Sequence, residues 1–216
     1  ALGAFALSSC TDLVVQEKDS TIVQTTGGTT TTGNPTELLN ALYNDLGVFN
    51  DQANLYSLGQ HPSAEMIPPT RGVDWGDNGV WRTLHSHTWD ATHAQVLNTW
   101  NTMNGRAYQC EQLLASNPSP VQAAEAKAIR AMYMYHVMDF FGQVPRRTVD
   151  QGVDALPSVL SRSEAFDFIV KDLTEALPNL PKLGPAAINA RASKAMANAL
   201  LARLHLNKAV YKSAKP

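Results

Sequence analysis

The sequence predicts a mainly α-helical chain, and three observations lead there. Helix-start signals recur ahead of apolar residues spaced three and four apart. Two of the helices carry the same small-Lys-small triplet, Ala126-Lys127-Ala128 and Ser193-Lys194-Ala195. No stretch alternating apolar and polar residues competes for a strand. The expected architecture is a set of tetratricopeptide-like helical hairpins with one long Trp-rich loop insertion, because such stripes bury themselves against neighbouring helices.

The elements follow in order. Asn34-Pro35-Thr36-Glu37 supplies an N-cap, a proline at the first helical position and a capping-box glutamate. Leu38, Leu39, Leu42 and Leu46 follow at helical spacing, which predicts a helix to about Asn50. A second helix spans about Thr92 to Ser116, with Val96, Trp100, Met103, Ala107, Cys110 and Leu114 on one face. A third opens at Ser119-Pro120-Val121-Gln122 and carries Ala128, Ile129, Met132, Tyr133, His136, Val137 and Phe140 before Gly142 and Pro145 stop it. A fourth opens at Ser161-Arg162-Ser163-Glu164, with Phe166, Ile169, Val170, Leu173 and Leu177 as its stripe. A fifth, about Ala190 to Tyr211, presents Ala195, Met196, Ala199, Leu200 and Leu204. Lys127 and Lys194 lie 67 positions apart, close to twice the ~34-residue tetratricopeptide period. Each belongs to the second helix of a candidate hairpin, where small residues let backbones approach.

The remainder of the chain divides differently. The apolar run Ala1–Leu7 leads into Ser8-Ser9-Cys10, the pattern of a truncated export signal ending in a lipobox, over residues 1–10. A lipid on Cys10 would attach the protein to a membrane without spanning it. Residues 11–33, rich in Thr and Gly, read as a flexible tether, and 34–216 as the helical domain. A start without Met and a stop just past the run Leu200–Tyr211 are expected of a piece of a longer protein. Alone, that piece is expected to be helical and aggregation-prone, since an uncapped repeat stack leaves an apolar face open.

Composition excludes several classes. The charged fraction is 17%, the formal net charge −2 and the pI near 6.3, so nucleic-acid binding has no electrostatic footprint. No run reaches the roughly 20 apolar residues of a spanning helix. Two cysteines make no disulfide framework, and Cys110, on an apolar stripe, is expected to be an inert buried hydrophobe. There is no GxSxG elbow, HExxH, Walker loop or dinucleotide fingerprint, and no catalytic residues or cofactor are assigned.

The segment His61–His93 holds Trp75, Trp81 and Trp89 among glycines, prolines and aspartates that prevent a continuous helix, with turn chemistry over Asp74-Trp75-Gly76-Asp77-Asn78-Gly79. A sugar ring offers an apolar C–H face and a rim of hydroxyls, so it needs a flat aromatic platform with fixed donors and acceptors. The three tryptophans fit the first need, and Glu65, Arg71, Asp74, Asp77 and Asn78 the second. Each tryptophan has a second reading, that of packing the loop against the helices. Arg71 and Asp74 have one too, as an ion pair within the loop. Glu65 with Asp74 or Asp77 would be the only acid–base pair, and the sequence gives it no defined separation. His61, His85, His87 and His93 also fall here, without further ligands at a zinc spacing; hydrogen bonding within the loop is their expected task, and no metal is assigned.

The stretch Ala124-Glu125-Ala126-Lys127-Ala128-Ile129-Arg130-Ala131-Met132-Tyr133-Met134-Tyr135-His136, continuing Asp139-Phe140-Phe141-Gly142-Gln143-Val144-Pro145, resembles the signature helix of the SusD/RagB family. Arg191-Ala192-Ser193-Lys194-Ala195, running into Leu200-Leu201-Ala202-Arg203-Leu204-His205-Leu206-Asn207, does so as well. The lipobox, tether and Trp-rich segment stand in the family's order, and the resemblance covers residues 10–212. Ala64, where many members have Asp before the Glu, and Glu111, where Asn is common, depart from it. The resemblance implies a Bacteroidetes lipoprotein on the outside of the cell outer membrane. Such a protein binds a glycan and delivers it, uncleaved, to a SusC-like TonB-dependent outer-membrane transporter. A tetratricopeptide-like scaffold that binds partner proteins is the alternative.

Overall fold

A computed structural model describes residues 22–25, 28–31, 33–67, 77–151, 155–183 and 190–213. Within them lie two short strands, β1 (Ile22–Thr25) and β2 (Gly28–Thr31), then α1 (Pro35–Asn44), α2 (Leu55–Gln60), α3 (Val80–His85), α4 (Ala94–Ala115) and α5 (Pro120–Phe141). Next come β3 (Gln143–Arg146), β4 (Ser158–Ser161), α6 (Arg162–Ala176), α7 (Lys194–Leu206) and α8 (Lys208–Tyr211). The fold is mainly helical, as expected.

The capping signals act as the sequence predicts. Asn34 Oδ1 accepts from the Thr36 N–H at 2.9 Å and opens α1. Ser119 and Gln122 exchange both bonds of a capping box on α5, and Ser161 and Glu164 do the same on α6. Gly142 closes α5 with φ 76°, a left-handed conformation that costs glycine nothing. A Cβ there would also come within 3.1 Å of the Arg162 guanidinium.

Some boundaries differ. The first helix ends at Asn44, and its expected last turn tightens into a 3-10 segment, Asp45–Phe49. The last splits at Asn207, and its first helical residue is Lys194, since Ser193 Oγ accepts from the Met196 N–H as its cap. Ala195 and Ala199 face solvent there, while Ala197 and Leu204 are buried. Pro145 does more than stop a helix: β3 pairs antiparallel with β4, placing Pro145 opposite Val159. A two-stranded ladder has only edges, so proline's missing N–H is tolerated. β1 and β2 likewise pair antiparallel within the segment read as a tether, Val23 opposite Thr30. Neither ladder exceeds four residues, too short for an alternating signature.

The helices stack in chain order, α4 on α5, α5 on α6 and α6 on α7, with α4–α5 and α6–α7 as the two hairpins. α5 lies in the middle and is apolar almost all round. Ala124, Ala126, Ala128, Ile129, Ala131, Tyr133, Met134, Val137 and Met138 are all buried, as expected of a helix covered on several sides. The alanines let its neighbours close in. The single stripe read from the sequence was too narrow: Phe140 is exposed and His136 half-buried.

Two arginines fasten this stack. Buried Arg130 of α5 makes a bidentate pair with Asp172 of α6, both bonds 2.7 Å, and its Nη1 meets Glu111 of α4 at 2.8 Å. Thus one guanidinium ties three successive helices. Arg191, just before α7, binds buried Glu125 of α5 at 2.7 Å and lies over the Tyr43 ring of α1, 4.5 Å from its centroid. The Ala192 N–H donates to the Tyr43 hydroxyl oxygen at 2.8 Å. Burial, the largest cause, pushes that phenol's pKa up to about 12. The two motifs that carry the family resemblance therefore touch each other, through Glu125 and Arg191.

Candidate functional site

α2 feeds directly into the Trp-rich segment, whose described parts are 61–67 and 77–93. Arg71, Asp74 and Trp75 lie outside the described residues, as does Cys10. Of the stretch Asp74–Gly79, rich in turn residues, the described part Asp77-Asn78-Gly79 is a single 3-10 turn with φ values of 37°, 54° and 81°. Ala64 and His87 also hold positive φ, 63° and 58°. Such angles are uncommon outside glycine, and they concentrate here, where the chain reverses direction over a few residues.

Trp81, on α3, is half-buried. Its indole N–H donates to Asp77 Oδ2, closing the turn on the helix that follows it. Its ring tilts against buried His61, centroids 5.3 Å apart. Trp81 and Asp77 are thus engaged with the segment itself. Trp89 differs: it leans on His87 at 5.2 Å but stays 39% exposed. Glu65 and Asn78 are exposed.

Three of the four histidines fasten the segment through their rings. His93 Nδ1 accepts from the Gln95 N–H as the α4 cap, so Nε2 carries the proton and faces the Val80 carbonyl at 3.1 Å and Thr83 Oγ1 at 2.9 Å. His87 Nε2 donates to the Pro62 carbonyl at 2.9 Å, and His85 Nδ1 lies 3.4 Å from the His61 carbonyl. These last two bridge α3 and its following turn to the residues after α2. Burial beneath Trp81 lowers the His61 pKa. Among the described residues no group of three or more His, Cys, Asp or Glu side chains is placed to hold a metal ion.

Sequence reasoning missed what lies beside this segment. Tyr56 and Gln60 of α2 line a cleft of about 330 Å³ with Phe49, His136, Asp139, Phe140 and Arg203. Tyr56 and Phe140 expose their rings, and Gln60, Asp139 and Arg203 supply polar groups. The sequence holds no signal for it: its walls come from separate helices. Chemically, the exposed Tyr56 and Phe140 rings, with the Gln60 amide and Asp139 carboxylate in the same cleft, suit a polyhydroxylated ligand. Cys110 is buried without exposure, and burial pushes its thiol far above the ordinary range, so it is unreactive. No described helix is long and apolar enough to cross a membrane.

By its described architecture the protein is a stack of tetratricopeptide-like helical hairpins carrying a pinned aromatic segment. No family model matches the sequence, and no curated protein matches it. Solved structures do. A laminarin-binding SusD-like protein matches with a TM-score of 0.67 at 20% identity, over 81% of this chain and 40% of that one. Surface glycan-binding protein A from Bacteroides fluxus matches at 0.65 and 20%, over 84% and 41%. A SusD-like carbohydrate-binding protein from Bacteroides fragilis matches at 0.64 and 23%, over 81% and 37%. The chain has the SusD-like fold. It spans about two-fifths of the length of these structures.

Proposed function

We propose that this chain is part of a SusD/RagB-family glycan-binding protein, held on the outer face of the outer membrane by a lipid on Cys10. Its task is capture of an oligo- or polysaccharide and delivery to a SusC-like TonB-dependent transporter, without bond cleavage. The observation that carries this reading is the fold shared with proteins described as binding laminarin, glycan and carbohydrate. The exposed Trp89 ring supports it, since a sugar's C–H face stacks on such a surface. Trp75, Arg71, Asp74, Asn78 and Glu65 are the proposed partners, with Trp81 and Asp77 holding the segment in shape.

Affinity electrophoresis through gels containing laminarin and other plant, host and microbial glycans tests the reading. Retardation by at least one glycan, lost in Trp75→Ala or Trp89→Ala, is the expected result. No retardation by any glycan, with partner proteins captured instead, would favour the scaffold alternative. For the anchor, Cys10→Ala in the complete precursor is expected to release the protein from the membrane fraction; retention there would remove the lipid from the reading.

A further inference from the structure

A second cleft, of about 210 Å³, lies where α4 and α5 meet β3, and no residue of the Trp-rich segment lines it. We propose that it binds the carboxylate of an acidic sugar, a uronate unit, a reading that rests on the glycan-binding function above. The cleft is small beside the roughly 300–1,000 Å³ of drug-sized sites, so it suits one ring rather than a chain.

Its charge is lopsided. Arg130, Arg146 and Arg147 line it, against Glu111 as the sole lining carboxylate. Arg130 is committed to Asp172 and Glu111. Arg146 is held differently. Its guanidinium lies 4.7 Å from the Phe168 ring centroid, and its Nε stands 3.7 Å from Glu111, beyond hydrogen-bonding reach. About a third of the Arg146 side chain, 35%, is accessible. A guanidinium fixed by its face on an aromatic ring keeps its in-plane donors for a planar oxyanion.

Apart from the Asn104 amide, the remaining lining is largely apolar, from Ala107, Tyr108, Met134, Pro145 and Pro157. A uronate matches both halves, its carboxylate toward Arg146 and its C–H face toward Tyr108 and Met134. A neutral sugar would leave Arg146 with only the offset Glu111 carboxylate as its counter-charge, and a simple inorganic anion would leave the apolar part of the wall uncovered.

The test titrates the full chain with methyl β-glucuronide, methyl β-glucoside and the acidic dipeptide acetyl-Glu-Glu, followed by NMR of backbone amides and arginine Nε–H groups. The glucuronide is expected to shift the Arg146 Nε–H and the Tyr108 and Arg147 amides, and to bind about tenfold more tightly than the glucoside. Arg146→Gln is expected to lose that preference. Should this variant fail to fold, the wild-type Nε–H shift still decides. Equal shifts from the glucoside, shifts confined to other residues, or tighter binding of the dipeptide would each overturn the proposal. Glycan retardation without any glucuronide shift would overturn this site alone. A glucuronide shift in a protein that no glycan retards would support the site while removing the wider reading.

Discussion

α5 and the Trp-rich segment hold their shapes by different means. α5 is buried on most of its surface and tied to three neighbouring elements by Arg130 and Glu125, both themselves buried. The described part of the segment has Leu84 as its fully buried large apolar residue, and is held by turn angles, an indole–carboxylate bond and histidine–carbonyl bridges. The difference separates a frame from a surface: side chains consumed by packing cannot meet a ligand, whereas a segment pinned through backbone and histidine leaves other side chains outward.

The sharpest way to break the comparison is at Arg130. Arg130→Met leaves buried Asp172 without its cation and Glu111 with only the more distant Arg146, and should cost about 3–5 kcal/mol in denaturant unfolding. Adding Asp172→Leu should recover part of the loss. A cost below about 1 kcal/mol would mean that the frame does not depend on this network.

His136 gives the next largest effect. Burial, between Phe49 and Tyr135, lowers its pKa from 6.5 to about 4, against a raising influence from Asp139. The unfolded chain then binds more protons than the folded one between those values. The associated stability is full above about pH 6.5 and is lost as pH falls toward 4, by roughly 3 kcal/mol. His136→Phe should flatten that slope in melts recorded across the window.

Ser119→Ala removes one half of the α5 capping box and should cost about 1 kcal/mol by thermal unfolding. Trp89→Ala, at an exposed ring, should change stability by no more than about 0.5 kcal/mol. The same substitution is one of the two expected to abolish glycan retardation. A large stability loss there would make Trp89 part of the frame and erase the contrast between the regions.

Much of the frame was legible in the residues. The capping boxes at Ser119 and Ser161, the glycine that ends α5 and the Leu39–Leu42 face depend on neighbours within a turn or so, and they form as read. The breadth of α5 burial was not legible, because alanine and arginine give no apolar stripe. It follows from helices arriving on both sides. At the site, the turn at Asp77–Gly79 and the loop-holding task of the histidines were readable, whereas the Trp81–Asp77 bond and the exposure of Trp89 were not.

The sequence by itself determined the long helices, the caps of α1, α5 and α6 and the hairpin order, because these follow from local backbone and hydrogen-bonding rules. The short α2 and α3 went unread. The tertiary structure alone decided which charges meet. Glu125 finds Arg191 and Arg130 finds Asp172 across 66 and 42 positions, and only stacking brings those side chains within hydrogen-bond reach. It also assembled the clefts beside α2 and beneath β3, whose walls come from elements far apart in the chain.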